Sequence, residues 1–378
     1  MRGRAGRGLC RDGPVSSGRH CRPTLAVVGA SGLVGSVTVS LLSVRPFHWG
    51  EVRLLGSERS AGRSVPVRGR RQPVLAIDDN AFDGIDIAIF ASPADAAEKW
   101  IPHAIRAGAK VVDGSGWSVR DPAIPVVVPS LNGDTAFDEA HDLVSVPGGM
   151  TSTLSEALAG IHGQWGLEGV IVSTYEPASA FGFAGVDRLR EEIHVAGEYQ
   201  PTEVWAGQRP GAVRAGLADV LGDSSGSPFV APLALNVIPL VGDPAEAGWS
   251  TDEQSLRREL RRVLGIERLP VVATRVLVPV ITGHCASIHV STARQVRLDR
   301  AKRFFIEAPD IVVLDDPAAG DVPTPADVAG ADPLFVGRIR QDSNNASSLD
   351  FFVAGDNIRR ATSTGLLKVA ELIASMQD

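Results

Sequence analysis

Three glycines, spaced three residues apart, follow a short apolar run near the start of the sequence. Gly29, Gly32 and Gly35 come directly after Leu25–Val28 and open an apolar segment of helical length, Leu33–Val44. Glycine lets the backbone turn tightly and approach a phosphate, and a helix N-terminus offers unpaired N–H groups to an anion. This order predicts a dinucleotide-binding βαβ unit. The alternative is a tight packing turn. The predicted cofactor residues are Gly29, Ser31, Gly32, Leu33, Val34 and Gly35.

A second turn indicates which dinucleotide binds. Ser57, Arg59 and Ser60 follow the next strand-like run, Val52–Leu55. Sites that select NAD usually place a carboxylate at this strand end, whereas an arginine beside hydroxyls suits the 2′-phosphate of NADP. The sequence therefore predicts NADP(H) as the cofactor, with a solvated turn as the alternative.

Composition limits the class of protein. The chain of 378 residues is long enough for two domains, and with 44% hydrophobic and 21% charged residues it has the composition of a globular protein. The net charge is −7, and residues 1–22 alone carry six arginines against one aspartate, so the remainder is clearly acidic. An acidic body argues against nucleic acid as a partner, and no apolar run reaches the roughly 20 residues that span a bilayer.

The cysteines and the N-terminal segment suggest a compartment. Cys10 and Cys21 lie in the Arg- and Gly-rich segment 1–22, apart from Cys285, so neither a disulfide framework nor a metal site is predicted. This usage fits a reducing cytoplasm. Residues 1–22 are predicted to be a disordered tail or an over-long start of translation, because they are rich in Arg and Gly and have almost no apolar periodicity; a functional basic arm is the alternative. They lack the apolar core of a signal peptide.

Alternating strands and helices over residues 23–150 predict a mostly parallel, Rossmann-type α/β domain. A hairpin is expected from Val65–Val67 and Pro73–Ala76, and a helix over Ala94–Ala107 that ends at Gly108. Further predicted strands are Ile85–Ala91, Lys110–Asp113, Val126–Val128 and Leu143–Val146.

The pattern changes near residue 150, so residues 151–356 are predicted to form an α+β domain with a mostly antiparallel sheet and helices on one face. Helices are expected at Ser250–Leu264 and Arg300–Glu307, and a mobile loop at 200–230. The last segment, 357–378, contains a long predicted helix, Ile358–Met376, that packs back on the first domain. The predicted strands are Gly169–Tyr175, Val271–Ile281, Ala286–Thr292 and Leu349–Ala354.

An ordered series of motifs resembles the aspartate-semialdehyde dehydrogenase family over roughly residues 24–376. The series is GASGLVG, SERSAG, FDGIDIAIFAS, DPAIPVVVPSLN, VIVSTYEPAS, LNVIP, RVLVPVITGH, IVVLDDP, PTPADVAG, LFVGRIRQD and VAGDNIRR. The resemblance implies a Rossmann domain, an α+β domain that forms a homodimer, and a place in amino-acid biosynthesis. The family's reaction is the NADPH-dependent conversion of aspartyl phosphate to aspartate semialdehyde through a cysteine thioester.

The catalytic cysteine of the family is missing here. Its Asn-Pro-Asn-Cys-Ser-Thr stretch corresponds to residues 146–153, where the nucleophile position is Gly149 or Thr151, depending on the alignment. A thiol at a helix N-terminus ionises readily, whereas a threonine hydroxyl needs an adjacent base. An oxyester is also a poorer hydride acceptor than a thioester. Thr151 is therefore more typical of a helix cap than of a nucleophile.

Three further family positions differ. The glutamine is Glu176, which could serve as a general base, and the substrate-binding arginine is Leu277. Arg275, two residues earlier, would point to the same strand face and could reach a displaced anion. The lysine of the family corresponds to Ser255.

Other family positions are kept. The family histidine corresponds to His284, and the resemblance places it in the catalytic site. Cys285 is a poor substitute nucleophile because neighbouring strand side chains face opposite ways. Arg120 and Asn132 match residues that bind phosphate or substrate in the family, and Glu253 retains the acidic neighbour of the lysine position, Ser255.

Three hypotheses follow. The first is a diverged, NADP(H)-binding paralogue without the classical activity. The second is an NADPH-dependent reductase of another carbonyl or imine, with His284 or Glu176 as the proton donor. The third is residual aspartate-semialdehyde dehydrogenase activity through Thr151. The sequence leaves the substrate unidentified.

Overall fold

The computed structural model describes residues 22–376, apart from 48, 138–140, 199–210, 212–213, 217 and 219–225. Residues 1–21 of the predicted disordered tail therefore lie outside the described residues, and so does most of the predicted loop 200–230. The described residues form two compact units. The first consists of the described residues up to Gly148 together with those from Thr362 onward, and the second is Gly149–Ala361. No helix in the described ranges is long and apolar enough to cross a bilayer.

The first unit is built on a six-stranded parallel sheet in the order β5-β2-β1-β6-β7-β8. Helix α1, Leu33–Leu41, follows the first strand, and α2, Ala94–Arg106, connects β6 to β7. The strands of this unit are β1 Leu25–Val28, β2 Val52–Gly56, β3 Ser64–Val67, β4 Arg70–Pro73, β5 Leu75–Ala76, β6 Ile87–Phe90, β7 Lys110–Asp113 and β8 Leu143–Ser145.

The second unit contains a six-stranded mixed sheet in the order β10-β9-β11-β14-β13-β12. Three pairings are antiparallel and the two at the edges are parallel. Its longer helices are α3 Gly149–Trp165, α4 Gly182–Glu198, α5 Thr251–Leu264 and α6 Leu298–Glu307. Its strands are β9 Leu167–Glu176, β10 Val271–Leu277, β11 His284–Thr292, β12 Ile311–Val313, β13 Leu334–Arg340 and β14 Ser348–Gly355.

Burial along the strands shows how each sheet is covered. All four residues of β1 and of β6 are buried, as expected for a parallel sheet covered on both faces. Along β9, buried residues such as Val170 and Val172 alternate with exposed Ile171. The second sheet therefore packs one face on helices and leaves the other face open.

The chain ends with helix α7, Gly365–Ser375, after a π-helical turn at Arg359–Thr364. Leu366, Leu367, Val369 and Ala370 belong to the same apolar core as β1 and β6. Leu366 also fills the space beside Gly114. A Cβ at Gly114 would lie 2.9 Å from a methyl group of Leu366. The last helix is thus part of the core of the first unit.

Several element predictions need correction. The hairpin pairs β3 with β4, and β5 joins the parallel sheet beside β2, so Pro73–Ala76 is not one hairpin strand. Val126–Val128 forms only a single bridge, from Val126 to Ser145. The long β10 ends at Leu277 because Pro279 lacks an N–H and Gly283 has a φ of +89°. The sequence reasoning missed β12 and β13.

Candidate functional site

The glycine turn of the first unit has the geometry of a phosphate-binding loop. Gly29 follows β1 with a φ of +83°, and a Cβ there would lie 2.5 Å from the carbonyl oxygen of Ala91. A Cβ at Gly35 would lie 2.1 Å from the carbonyl oxygen of Gly29, so this glycine lets α1 approach the turn. Leu33 and Val34 begin α1, where N–H groups lack acceptors within the helix. The turn therefore fits a pyrophosphate at the helix N-terminus.

The turn after β2 carries the predicted specificity residues. Glu58–Ser60 form a short 3₁₀ helix, and Ser57 and Arg59 are exposed. Glu58 is exposed beside them, a feature that the sequence reasoning passed over. The turn thus presents a guanidinium and hydroxyls, which suit a 2′-phosphate, and also a carboxylate, which suits a free ribose.

The two remaining predicted contacts of the first unit differ in character. Arg120 is exposed at the end of a short 3₁₀ helix. Asn132, by contrast, holds its own loop: its Oδ1 accepts from the N–H of Val128 at 2.7 Å and its Nδ2 donates to the carbonyl of Val126 at 2.8 Å. The amide of Asn132 therefore already makes local bonds on both its oxygen and its nitrogen.

In the second unit, the predicted nucleophile position lies in the first turn of α3. The hydroxyl of Thr151 donates a 2.7 Å hydrogen bond to Oε2 of Glu259, and both side chains are buried. The carboxylate of Glu259 comes from α5. The hydroxyl of Thr151 therefore has a carboxylate that could accept its proton. The histidine of the site, His284, has a different hydrogen-bond partner.

That partner is Thr153, which also lies on α3. Its Oγ1 lies 2.7 Å from Nε2 of His284, although the two residues are 131 positions apart. His284 begins β11, and both side chains are buried. Helical spacing could not have shown this contact, because it depends on how α3 packs over β11.

Glu176 and Arg275 form a buried ion pair. Nη2 and Nε of Arg275 donate to Oε1 of Glu176 at 2.8 and 3.1 Å, and Thr174 donates to the same oxygen at 2.8 Å. The Glu176 side chain is 3% exposed and that of Arg275 is 15% exposed. Adjacent parallel strands bring them together, since β9 and β10 pair Thr174 with Arg275.

The start of α5 completes the surroundings of Arg275. Nη1 of Arg275 lies 3.2 Å from Oδ2 of Asp252, and its backbone N–H donates to Oε1 of Glu253 at 3.2 Å. The other oxygen of Glu253 accepts from the N–H of Ser250, whose hydroxyl caps the helix in return. Glu253, predicted as a substrate neighbour, thus makes a capping box.

These contacts set the protonation of the site. Burial alone would raise the pKa of Glu176, but Arg275 and His284 and the hydrogen bonds from Thr174 and Arg275 hold it below the usual value. For His284, burial lowers the pKa to about 4, with opposing effects from Glu176 and Asp356 and further lowering from Arg275 and Arg360. Near neutral pH, Glu176 is ionised and His284 is uncharged.

Leu277 and Cys285 do not contribute chemistry. Leu277, at the position of the family's arginine, is 1% exposed in an apolar cluster with Ala178, Leu189 and Ile238. Cys285 is buried against Val328 and Ala354, and burial, together with the charge of Glu176, raises the pKa of its thiol to about 12. It is the one cysteine in the described part of the chain.

The parallel sheet with its glycine turn gives the first unit the architecture of a dinucleotide-binding domain, and the mixed sheet makes the second unit an α+β domain. Residues 24–139 match the model of the semialdehyde dehydrogenase NAD-binding domain, and residues 158–360 match the model of the semialdehyde dehydrogenase dimerisation domain. The chain belongs to the aspartate-semialdehyde dehydrogenase family.

Individual relatives agree over almost the whole chain. The aspartate-semialdehyde dehydrogenase of Corynebacterium glutamicum is 34% identical over 357 residues, which cover 93% of this chain and 99% of the relative. That of Aquifex aeolicus is 31% identical, with 92% and 97% covered. Among solved structures, aspartate-semialdehyde dehydrogenase II of Vibrio cholerae, complexed with ASA, is similar with a TM-score of 0.82, 26% identity and coverage of 94% and 99%.

We predict that His284 makes folding sensitive to acid. Its pKa is about 4 in the folded chain and about 6.5 when unfolded, so the unfolded state binds more protons between these values. Stability should fall as the pH drops below about 6.5, and at pH ~5 this residue should cost about 2 kcal/mol. Urea titrations at several pH values, on wild type and His284→Gln, would measure the difference. Equal pH dependence in the two proteins would contradict the prediction.

Proposed function

We propose that this protein is an NADP(H)-binding member of its family that lacks the NADPH-dependent reduction of aspartyl phosphate. The observation that carries the proposal is the start of α3, where no thiol is present and the hydroxyl of Thr151 donates to Glu259. Without a thiolate, the thioester that accepts the hydride in this family cannot form. Removal of a nucleophile typically lowers kcat by several orders of magnitude.

The surroundings of Thr151 support the proposal. Glu176 brings a negative charge where the family has a glutamine, and Arg275 is already paired with it. The family's arginine position, Leu277, lies in an apolar cluster. These changes remove the carboxylate clamp as well as the nucleophile, so no single substitution separates this chain from the family's reaction.

The reductase hypothesis finds less support in the protonation states. Glu176 is ionised and ion-paired, and His284 is uncharged because its pKa is about 4. Neither group therefore carries an acidic proton near neutral pH, which the reduction of a carbonyl or imine would need. Residual activity through Thr151 is also disfavoured, since the histidine bonds to Thr153 instead.

The first test is turnover. With aspartate semialdehyde, phosphate and NADP, we expect the purified protein to form NADPH at least about 10³-fold more slowly than the Corynebacterium glutamicum relative assayed in parallel. Cofactor binding must be shown in the same preparation. Thr151→Cys combined with Glu176→Gln, and the same pair with Leu277→Arg, would show whether the scaffold supports the reaction once these groups are restored. Ordinary turnover by the wild type would refute the proposal.

The second test is cofactor preference. We propose that Arg59 binds the 2′-phosphate, so wild type should bind NADP more tightly than NAD, and Arg59→Ala should weaken NADP binding about 10- to 100-fold while changing NAD binding little. Calorimetry or fluorescence titration would give the dissociation constants. Glu58→Ala is the matched control, because it removes the neighbouring charge on the same turn. Tighter binding of NAD by the wild type, lost in Glu58→Ala, would reverse the assignment.

The third test is assembly. We propose a homodimer through the open face of the second sheet, because residues 158–360 match the dimerisation domain and this face exposes Ile171 and Val272 by 54% and 52%. Sedimentation should give twice the chain mass for the wild type, and Ile171→Lys should shift it towards monomer. Val44→Lys, which changes an apolar side chain exposed in the first unit, should remain dimeric. A monomeric wild type would end this proposal.

A further inference from the structure

We propose that Glu176 is an internal occupant of the carboxylate-binding fork of Arg275, and so determines specificity by excluding ligands that carry a carboxylate. The inference rests on the proposed function, because it explains why a site without the family's reaction does not accept an aspartyl substrate. It goes beyond the absence of a nucleophile because it concerns which ligands can enter, not which reaction follows.

One edge of the Arg275 guanidinium, and one donor beyond that edge, already bind carboxylates of the chain itself. A guanidinium binds an external carboxylate through two N–H groups on one edge. On the Nε–Nη2 edge, both nitrogens donate to Oε1 of Glu176, at 3.1 and 2.8 Å. Nη1 donates to Oδ2 of Asp252 at 3.2 Å. An incoming carboxylate would therefore have to displace a carboxylate of the chain itself.

The position of Glu176 is fixed independently of Arg275. It ends β9, is 2% exposed, and accepts a hydrogen bond from Thr174 on its own strand. The register between β9 and β10 sets the separation of the two side chains. The sheet thus holds the Glu176 carboxylate in place. Its pairing with Arg275 costs less entropy than the binding of a free carboxylate, which would have to be immobilised.

The neighbouring charges oppose a second anion. Asp252 contacts the guanidinium, Glu253 contacts the backbone of Arg275, and Glu259 lies near enough to raise the pKa of Arg275. A substrate carboxylate placed on this fork would meet these groups at short range. Like charges in a poorly solvated site repel strongly.

One side-chain atom at position 176, an oxygen in glutamate and a nitrogen in glutamine, decides whether the charge of Arg275 is neutralised within the protein. Glutamine at position 176 would keep the shape of the side chain while removing its charge, so that the positive charge of Arg275 would be available to a ligand. Glutamate cancels that charge inside the protein. We therefore expect loss of the Glu176 carboxylate to create a binding site for small carboxylates that the wild type lacks.

Chemical rescue tests this directly. In Glu176→Ala, the buried guanidinium loses its main partner, and sodium acetate or formate should restore it. At about ten times its dissociation constant, the anion should favour the folded state about 11-fold and raise Tm by roughly 2–3 °C. Sodium chloride at equal ionic strength, and acetate added to the wild type, should give no such rise. Glu176→Ser, which also vacates the space beside the guanidinium, provides the same readout if the alanine variant does not fold.

The matched control removes the fork itself. Glu176→Ala combined with Arg275→Met should lose the response to acetate, because no guanidinium remains to be filled. The proposal is overturned if neither single variant responds, if the wild type responds equally, or if the double variant still responds. These readouts use neither cofactor nor turnover, so they are independent of the activity test of the proposed function.

Discussion

The buried pairing of Glu176 with Arg275 is the constraint on which the second unit depends. An arginine and a glutamate removed from water cost several kcal/mol each unless their charges and hydrogen bonds are matched. Here the match requires the parallel register of β9 and β10, the hydroxyl of Thr174 and the start of α5 at once. A slip of one residue along β10 would turn the arginine to the other face and leave a buried carboxylate unpaired.

The first unit is organised by close packing instead of charge. Gly29 and Gly35 are required because a Cβ at either position would overlap a backbone carbonyl, and Gly114 makes room for Leu366 of the last helix. None of these contacts depends on the catalytic groups of the second unit. The dinucleotide-binding geometry can therefore persist while the chemistry of the other unit changes.

Buried polar groups of α3 and of the sheet beneath it form pairs that satisfy one another. Thr151 donates to Glu259, Thr153 bonds to His284, and Glu176 neutralises Arg275. Each pair satisfies groups that would be costly to bury alone.

Local patterns in the sequence were enough to predict both sheets and the glycine turn, because periodicity, glycine and proline act over a few residues. The family was predicted from the resemblance of the ordered motifs. Two of the strands, β12 and β13, and the true partner of β5 were missed, since short apolar runs do not reveal their neighbours. The sequence by itself also singled out Glu176, and either Gly149 or Thr151, as predicted differences from the motifs that it resembles. The partners could not be predicted in this way: Arg275 meets Glu176 across 99 residues and Thr153 meets His284 across 131. Strand register and helix packing decide such contacts, and these exist only once the chain has folded.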